Sequence, residues 1–140
     1  MPDKAETNDL AYWRARPSLA RPGPSALGGR GLFALAPIEP GALIERACTV
    51  EIKRSQVEAL DAMVPLGDFY FAHPKDETRG LMAFGLMSLL NHSEAPNAHI
   101  VWKQNKSLGW LADLVALSPI AKGAEITYRY KCVWFKPASP

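Results

Sequence analysis

Leu86-Met87-Ser88-Leu89-Leu90-Asn91-His92-Ser93-Glu94-Ala95-Pro96-Asn97 is the stretch on which the reading of this 140-residue chain turns. An apolar segment stops abruptly at Asn91, His92 and Ser93. Pro96 and Asn97 follow, and both favour a turn. Polar side chains placed directly beside buried backbone need hydrogen-bond partners. The cluster therefore either stitches the core together or holds a ligand.

Downstream of this stretch the chain reads as strands. Residues 98–103 form one, 104–107 a hairpin turn and 108–117 a long return strand, with a further turn over 119–123. Residues 125–130 alternate, with Ile126, Tyr128 and Tyr130 on one face and Thr127 and Arg129 on the other. Upstream, residues 81–90 suit a strand leading into a helical turn, after a polar loop over 73–80 and a short aromatic strand over 68–72. Residues 55–63 read as a short helix, with Ser55 capping it, Glu58 at capping-box spacing and Val57, Leu60 and Val64 on its apolar face. Residues 42–52 form a strand region. Gly28-Gly29-Arg30-Gly31 opens an earlier strand over 32–36. That glycine cluster is no dinucleotide fingerprint, because Ala34 takes the third glycine position, and no Gly-Lys-Ser/Thr is present.

The first 25 residues carry four prolines, with Arg14, Arg16 and Arg21 around Tyr12 and Trp13. Such a composition disfavours packed structure. It predicts a flexible or loosely docked arm over 1–25 and a mainly β domain over 26–137. A sharper alternative has the arm docking through Tyr12 and Trp13.

Apolar residues make up 48% of the chain, enough for a real core. A formal net charge of +2 gives no large basic field, so direct sequence-specific nucleic-acid binding is not expected. No apolar run reaches membrane-span length, and the polar N-terminus lacks an apolar signal core. Cys48 and Cys132 form no Cys-x-x-Cys pair and read as reduced cytosolic thiols, with a disulfide between them left open. His73, His92 and His99 lack metal-ligand spacing with each other and with the cysteines, so no metal is expected.

Three motifs stand in order: Gly29-Arg30-Gly31-Leu32-Phe33-Ala34, then Asn91-His92-Ser93 with Pro96-Asn97, then Glu125-Ile126-Thr127-Tyr128-Arg129-Tyr130. Together they resemble the SET-domain family of protein lysine methyltransferases, over roughly residues 25–135. The resemblance is to minimal members such as the small viral histone methyltransferase and short bacterial proteins. It implies a β-clip-like fold of several small sheets with short helices. In that fold the Asn91–His92 segment is threaded in a pseudoknot-like arrangement beneath the chain around Tyr130. It also implies S-adenosylmethionine on one face and a lysine entering by a channel from the other.

By the same resemblance Tyr130 is the catalytic tyrosine, with Tyr128 and Tyr70 beside the channel. Gly29, Arg30, Gly31, Leu32, Asn91, His92, Tyr130 and Trp134 would meet the cofactor, with Trp134 or Phe135 covering the adenine or walling the channel. Tyr128 stands where family members carry Phe or Tyr, which implies mono- or dimethylation. A lysine-bearing protein or peptide is the implied partner, a histone or other basic protein among them, and a homodimer is implied by the viral relative. The location would be cytoplasmic in a bacterium and nuclear or chromatin-associated in a eukaryote or virus.

The chain departs from the family pattern at Arg30, at Phe69 (where a tyrosine is usual, with Tyr70 one residue away) and at Lys131. These departures motivate a second reading, a SET-fold interaction module without activity. A cysteine–histidine hydrolase built on Cys132 or Cys48 with His92 or His99 has no local motif behind it.

Overall fold

The computed structural model describes residues 9–14, 16–63 and 69–130. Nine strands in two sheets form their framework. In chain order they are β1 (Ala20–Pro24), β2 (Arg30–Ala34), β3 (Leu43–Ile52), β4 (Phe71–Ala72), β5 (Gly80–Phe84), β6 (Asn91–His92), β7 (Ala98–Asn105), β8 (Gly109–Ala116) and β9 (Glu125–Tyr128). A four-stranded sheet has the order β1-β2-β9-β6 and a five-stranded sheet the order β4-β5-β3-β8-β7. The mainly β expectation holds.

Each pairing is antiparallel except one: β6 runs parallel to β9, with Asn91 opposite Thr127 and His92 opposite Tyr128. Leu32 and Ile126 face each other across β2 and β9, and both are fully buried. They join Leu114, Met87, Ala47 and Ala83 in one apolar cluster drawing on both sheets. Burying each large aliphatic side chain of this set contributes roughly 1.5–3 kcal/mol.

One short element aims the chain toward the site. Glu45 on β3 accepts the Leu86 and Met87 backbone N–H groups at 3.0 and 2.8 Å, and so caps the 3-10 turn Leu86–Leu89. A side chain at Gly85 would meet the Glu45 carboxylate at 2.5 Å, so only glycine lets the two approach. The capped turn drives Met87 into the core at 0% exposure and delivers Leu90 and Asn91 to the edge of the small sheet.

Several expectations are corrected. Residues 20–24, read as part of a loose arm, form β1, paired residue by residue with β2. Pro22 and Pro24 are tolerated because β1 is an edge strand, where a missing N–H leaves no ladder bond unmade. Further upstream, Asp9 is buried. Its carboxylate meets Lys103 Nζ at 2.5 Å and accepts from Asn105 Nδ2 at 3.2 Å, and its carbonyl accepts from Arg46 Nη1 at 3.0 Å. Arg46 in turn forms a bidentate pair with Asp113, at 2.6 and 2.7 Å. The docking group is therefore an aspartate; Tyr12 and Trp13 are partly exposed and exposed, respectively.

The helix, α1 (Arg54–Asp61), starts one residue early. Lys53 is its N-cap, and the Lys53 N–H is held by Gln56 Oε1 at 3.0 Å, so Ser55 caps nothing. No residue of α1 is buried, and Val64 lies outside the described residues. The aromatic strand shrinks to Phe71–Ala72. Thr127, on the face opposite Ile126 and Tyr128, is buried too: β9 is flanked by strands on both sides, and the Thr127 N–H is bonded by the Asn97 side chain. Among the described residues no helix is long and apolar enough to cross a membrane.

Candidate active site

Gly28, Gly29, Arg30, Phe69, Ser88, Leu89, Leu90, Asn91 and Tyr130 enclose a cleft of about 310 Å³. One wall is the β1–β2 turn. It is shaped by Gly28 and Gly29, whose φ values of 123° and 57° are open to glycine at little cost. The opposite wall is the end of the 3-10 turn and the first residue of β6. Tyr130, two residues past β9, supplies the aromatic side.

Asn91 is fixed from both sides. Its Nδ2 donates to the Arg30 carbonyl at 3.0 Å and to Glu125 Oε2 at 2.8 Å. Neither partner has a proton to give, so the amide nitrogen must face them and the amide oxygen must face away. Gly31 sits directly behind this contact. A side chain there would overlap the Glu125 carboxylate and come within 3.1 Å of Asn91 Nδ2. The glycine is required by this close approach.

His92 is buried and works as a clasp. Its Nδ1 accepts the Tyr130 backbone N–H at 2.9 Å, and its Nε2 lies 3.0 Å from Glu94 Oε1. Nδ1 as acceptor leaves Nε2 to carry the proton and donate to Glu94. The His92 hydrogen bond, with the positive charge of Arg129 at 3.2 Å, holds the Glu94 carboxyl below its usual range.

The Tyr130 hydroxyl donates to the Leu90 carbonyl at 2.8 Å. Its ring lies 5.1 Å from His92 and 5.0 Å from Tyr128. Tyr128 packs between Tyr130 and Phe71. Burial, reinforced by the neighbouring Tyr130, pushes the Tyr128 phenol far above its ordinary value, so it stays a neutral O–H.

Asn97 completes the framework. Its amide accepts the Thr127 N–H and donates to the Glu125 carbonyl, both at 2.9 Å, bonding β9 as a neighbouring strand would. The Asn-His-Ser-x-x-Pro-Asn string thus grips β9 at both ends.

Of the residues singled out in the sequence, Gly29, Arg30, Asn91 and Tyr130 meet at the cleft, with Gly31, His92 and Tyr128 packed behind them. Two do not. Leu32 is a core residue at 0% exposure, since strand alternation turns it inward. Tyr70 donates its hydroxyl to Asp61 at 2.7 Å and lays its ring against Gly80, while Phe69 borders the cleft. Trp134, Phe135 and Cys132 lie outside the described residues. Sequence reasoning missed Ser88, Leu89 and Leu90 as lining, and missed Glu125, whose place in the third motif was the available signal. Among the described residues no three His, Cys, Asp or Glu side chains gather where they could hold a metal ion.

The SET-domain family profile matches residues 29–131, and the chain belongs to that family. Among solved structures, a Plasmodium falciparum protein assigned as a histone methyltransferase is similar over 86% of this chain and 100% of its own, with 27% identity and a TM-score of 0.65. A Chaetomium thermophilum Polycomb Repressive Complex 2 chain, from a humanized mutant bound to an inhibitor, shares the fold at 20% identity and a TM-score of 0.68. The match covers 83% of this chain and 15% of that one. An autoinhibited form of the complex bound to S-adenosylmethionine gives 19% identity and a TM-score of 0.67, covering 83% of this chain and 15% of that one. No curated protein matches.

Proposed function

We propose that this chain is a protein-lysine N-methyltransferase that uses S-adenosylmethionine, with a histone or another basic protein as the substrate class. The observation that carries the reading is the meeting of the Asn91 amide, the Gly28–Gly29–Arg30 turn and Tyr130 around one cleft. Their chemistry suits the amino-acid end of the cofactor. The Asn91 oxygen is an acceptor for an ammonium group, and Arg30 brings a guanidinium for a carboxylate.

When bound, S-adenosylmethionine would supply a sulfonium methyl to a neutral amine in line, the N–C bond forming as the C–S bond breaks, the neutral thioether leaving and the positive charge passing to the amine. The protein has two tasks: to hold the amine unprotonated and to point it. Desolvation in a narrow site favours the neutral amine. Alignment of the reacting groups is worth on the order of 7–11 kcal/mol in well-ordered cases. Tyr130 Oη, whose proton is engaged by the Leu90 carbonyl, is an oxygen acceptor for the amine and for the partly positive methyl hydrogens. Tyr128, held neutral behind it, narrows the space and offers a phenol oxygen that accepts an N–H of the amine, leaving the nitrogen lone pair free to attack. That favours mono- or dimethyl product.

Calorimetric titration with S-adenosylmethionine, on the wild type and on Asn91→Ala, tests the reading first. Saturable one-site binding weakened by the substitution, followed by methyl transfer to a lysine peptide, supports it. A folded wild type that binds neither cofactor alone nor cofactor with a basic peptide present would turn the reading toward an interaction module.

A further inference from the structure

We propose that Glu125 is a positioning residue that prepares the cleft for the cofactor's ammonium group by turning the Asn91 amide oxygen toward it. The inference rests on the cofactor reading above. Three observations carry it. The Glu125 carboxylate bridges two walls of the cleft: Oε1 accepts the Ser25 hydroxyl at 2.6 Å and Oε2 accepts Asn91 Nδ2 at 2.8 Å. Ser25 is the hinge of the β1–β2 turn, since its Oγ also accepts the Leu27 N–H at 3.0 Å and its backbone N–H donates to the Gly29 carbonyl at 2.9 Å. Gly31 is bare where any side chain would collide with the Glu125 carboxyl group. The fold makes room for this carboxylate and places it beneath the turn and beside Asn91.

The consequence for Asn91 follows from counting protons. The side-chain amide has two N–H groups, and Arg30 O and Glu125 Oε2 take one each. With both committed, rotating the amide by half a turn would set its oxygen against a carbonyl and a carboxylate. That arrangement loses two hydrogen bonds and adds repulsion. The amide is locked, and its oxygen is an acceptor that need not reorganise when a cation arrives. Remove the Glu125 oxygen and only the Arg30 carbonyl holds the orientation. The Ser25–Gly29 turn loses its tie in the same step.

A double-mutant cycle on cofactor affinity separates this role from plain structural support. Glu125→Met keeps side-chain bulk beneath Gly31 and removes both acceptor oxygens. It is expected to weaken S-adenosylmethionine binding at least tenfold. In the Asn91→Ala background the same change is expected to alter affinity no more than about threefold, because the group it positions is gone and only the Ser25 tie is left to lose. Glu125→Gln retains an oxygen able to accept from Asn91 and is expected to stay within about threefold of wild type, with that small loss also vanishing in the Asn91→Ala background. It serves as the folding-safe variant where Glu125→Met melts below the assay temperature. Wild-type affinity in Glu125→Met, or losses that multiply with Asn91→Ala, would overturn the inference while leaving the cofactor reading intact. Absence of binding by the wild type would remove both.

Discussion

The backbone N–H of Tyr130 donates to Nδ1 of His92 across 38 residues of sequence, at 2.9 Å. The placement of the candidate catalytic tyrosine is therefore set from its main chain, by a buried imidazole, while its hydroxyl is set separately by the Leu90 carbonyl. Two anchors at opposite ends of one residue leave little freedom for the ring between them.

Removing the first anchor tests how much that matters. His92→Ala is expected to lower kcat by about tenfold or more, since misplacing a reacting group by about an ångström can cost on the order of a hundredfold. It should also cost roughly 1–3 kcal/mol of stability, by removing a buried imidazole together with its hydrogen bond to the Tyr130 N–H. Single-turnover methyl transfer, with urea unfolding alongside, reads both quantities. An unchanged rate would show that Leu90 and ring packing alone hold Tyr130.

Gly31→Ala puts a methyl group into the Glu125 carboxylate. Overpacking of this kind typically costs about 1–3 kcal/mol, and here the displaced group also holds Asn91. The expected result is a lower melting temperature together with weakened S-adenosylmethionine binding. Gly41→Ala is the contrast: that glycine has φ +82° but nothing within 4 Å of its missing Cβ, so it should lose stability alone.

Tyr130→Phe removes the oxygen proposed to orient the amine and should lower kcat by about a hundredfold or more, within the range of positioned hydroxyl and acid–base groups. Tyr128→Phe is expected to keep activity and to shift the product toward trimethyl-lysine, because it deletes a neutral O–H from a confined space. Mass spectrometry of the modified peptide decides. A wild type that already yields mainly trimethyl-lysine would contradict the proposed part of Tyr128.

The buried Asp9 gives an acid-dependent stability. Burial alone would raise its carboxyl, but hydrogen bonds from Lys103 and Asn105, with the charges of Lys103 and Arg46, outweigh it and hold the group below the ordinary aspartate value. A carboxyl depressed on folding contributes fully above its unfolded value and loses that contribution as pH falls through the folded value. The melting temperature should therefore decline below about pH 4, and Asp9→Asn should lower it at pH 7 and flatten the decline. Thermal melts of both proteins between pH 2 and 7 would show it. Identical pH profiles would place the acid sensitivity elsewhere.

Much of this site was legible in the residues because it depends on local chemistry. Asn91, His92 and Pro96-Asn97 announce an interrupted apolar run, and Gly29-Arg30-Gly31 announces a tight turn; both meet at the cleft or directly behind it. The choice between Phe69 and Tyr70 was not legible in the same way. Neighbouring residues on an extended chain point to opposite sides, and only the packed structure says which ring turns toward the cleft. Leu32 belongs to the first motif, yet its place on β2 opposite Ile126 turns it into the core. Ala20–Pro24 was hidden by its own composition, since prolines and arginines read as unpacked chain until an edge position makes them harmless. Glu125 looked like one strand residue among six. Nothing in a linear string says that a carboxylate and the missing side chain of a glycine occupy the same space.

The bridge from Ser25 to Glu125 spans 100 residues, Asn91 to Arg30 spans 61 and Asn91 to Glu125 spans 34. Contacts this distant carry the largest loop-closure entropy and are formed late in folding. The β7–β8 hairpin and other short-range pairings can assemble while the cleft does not yet exist. Binding of the proposed cofactor would therefore report the last stage of folding, and a nicked or partly opened chain would keep most of its strand content while losing the cleft.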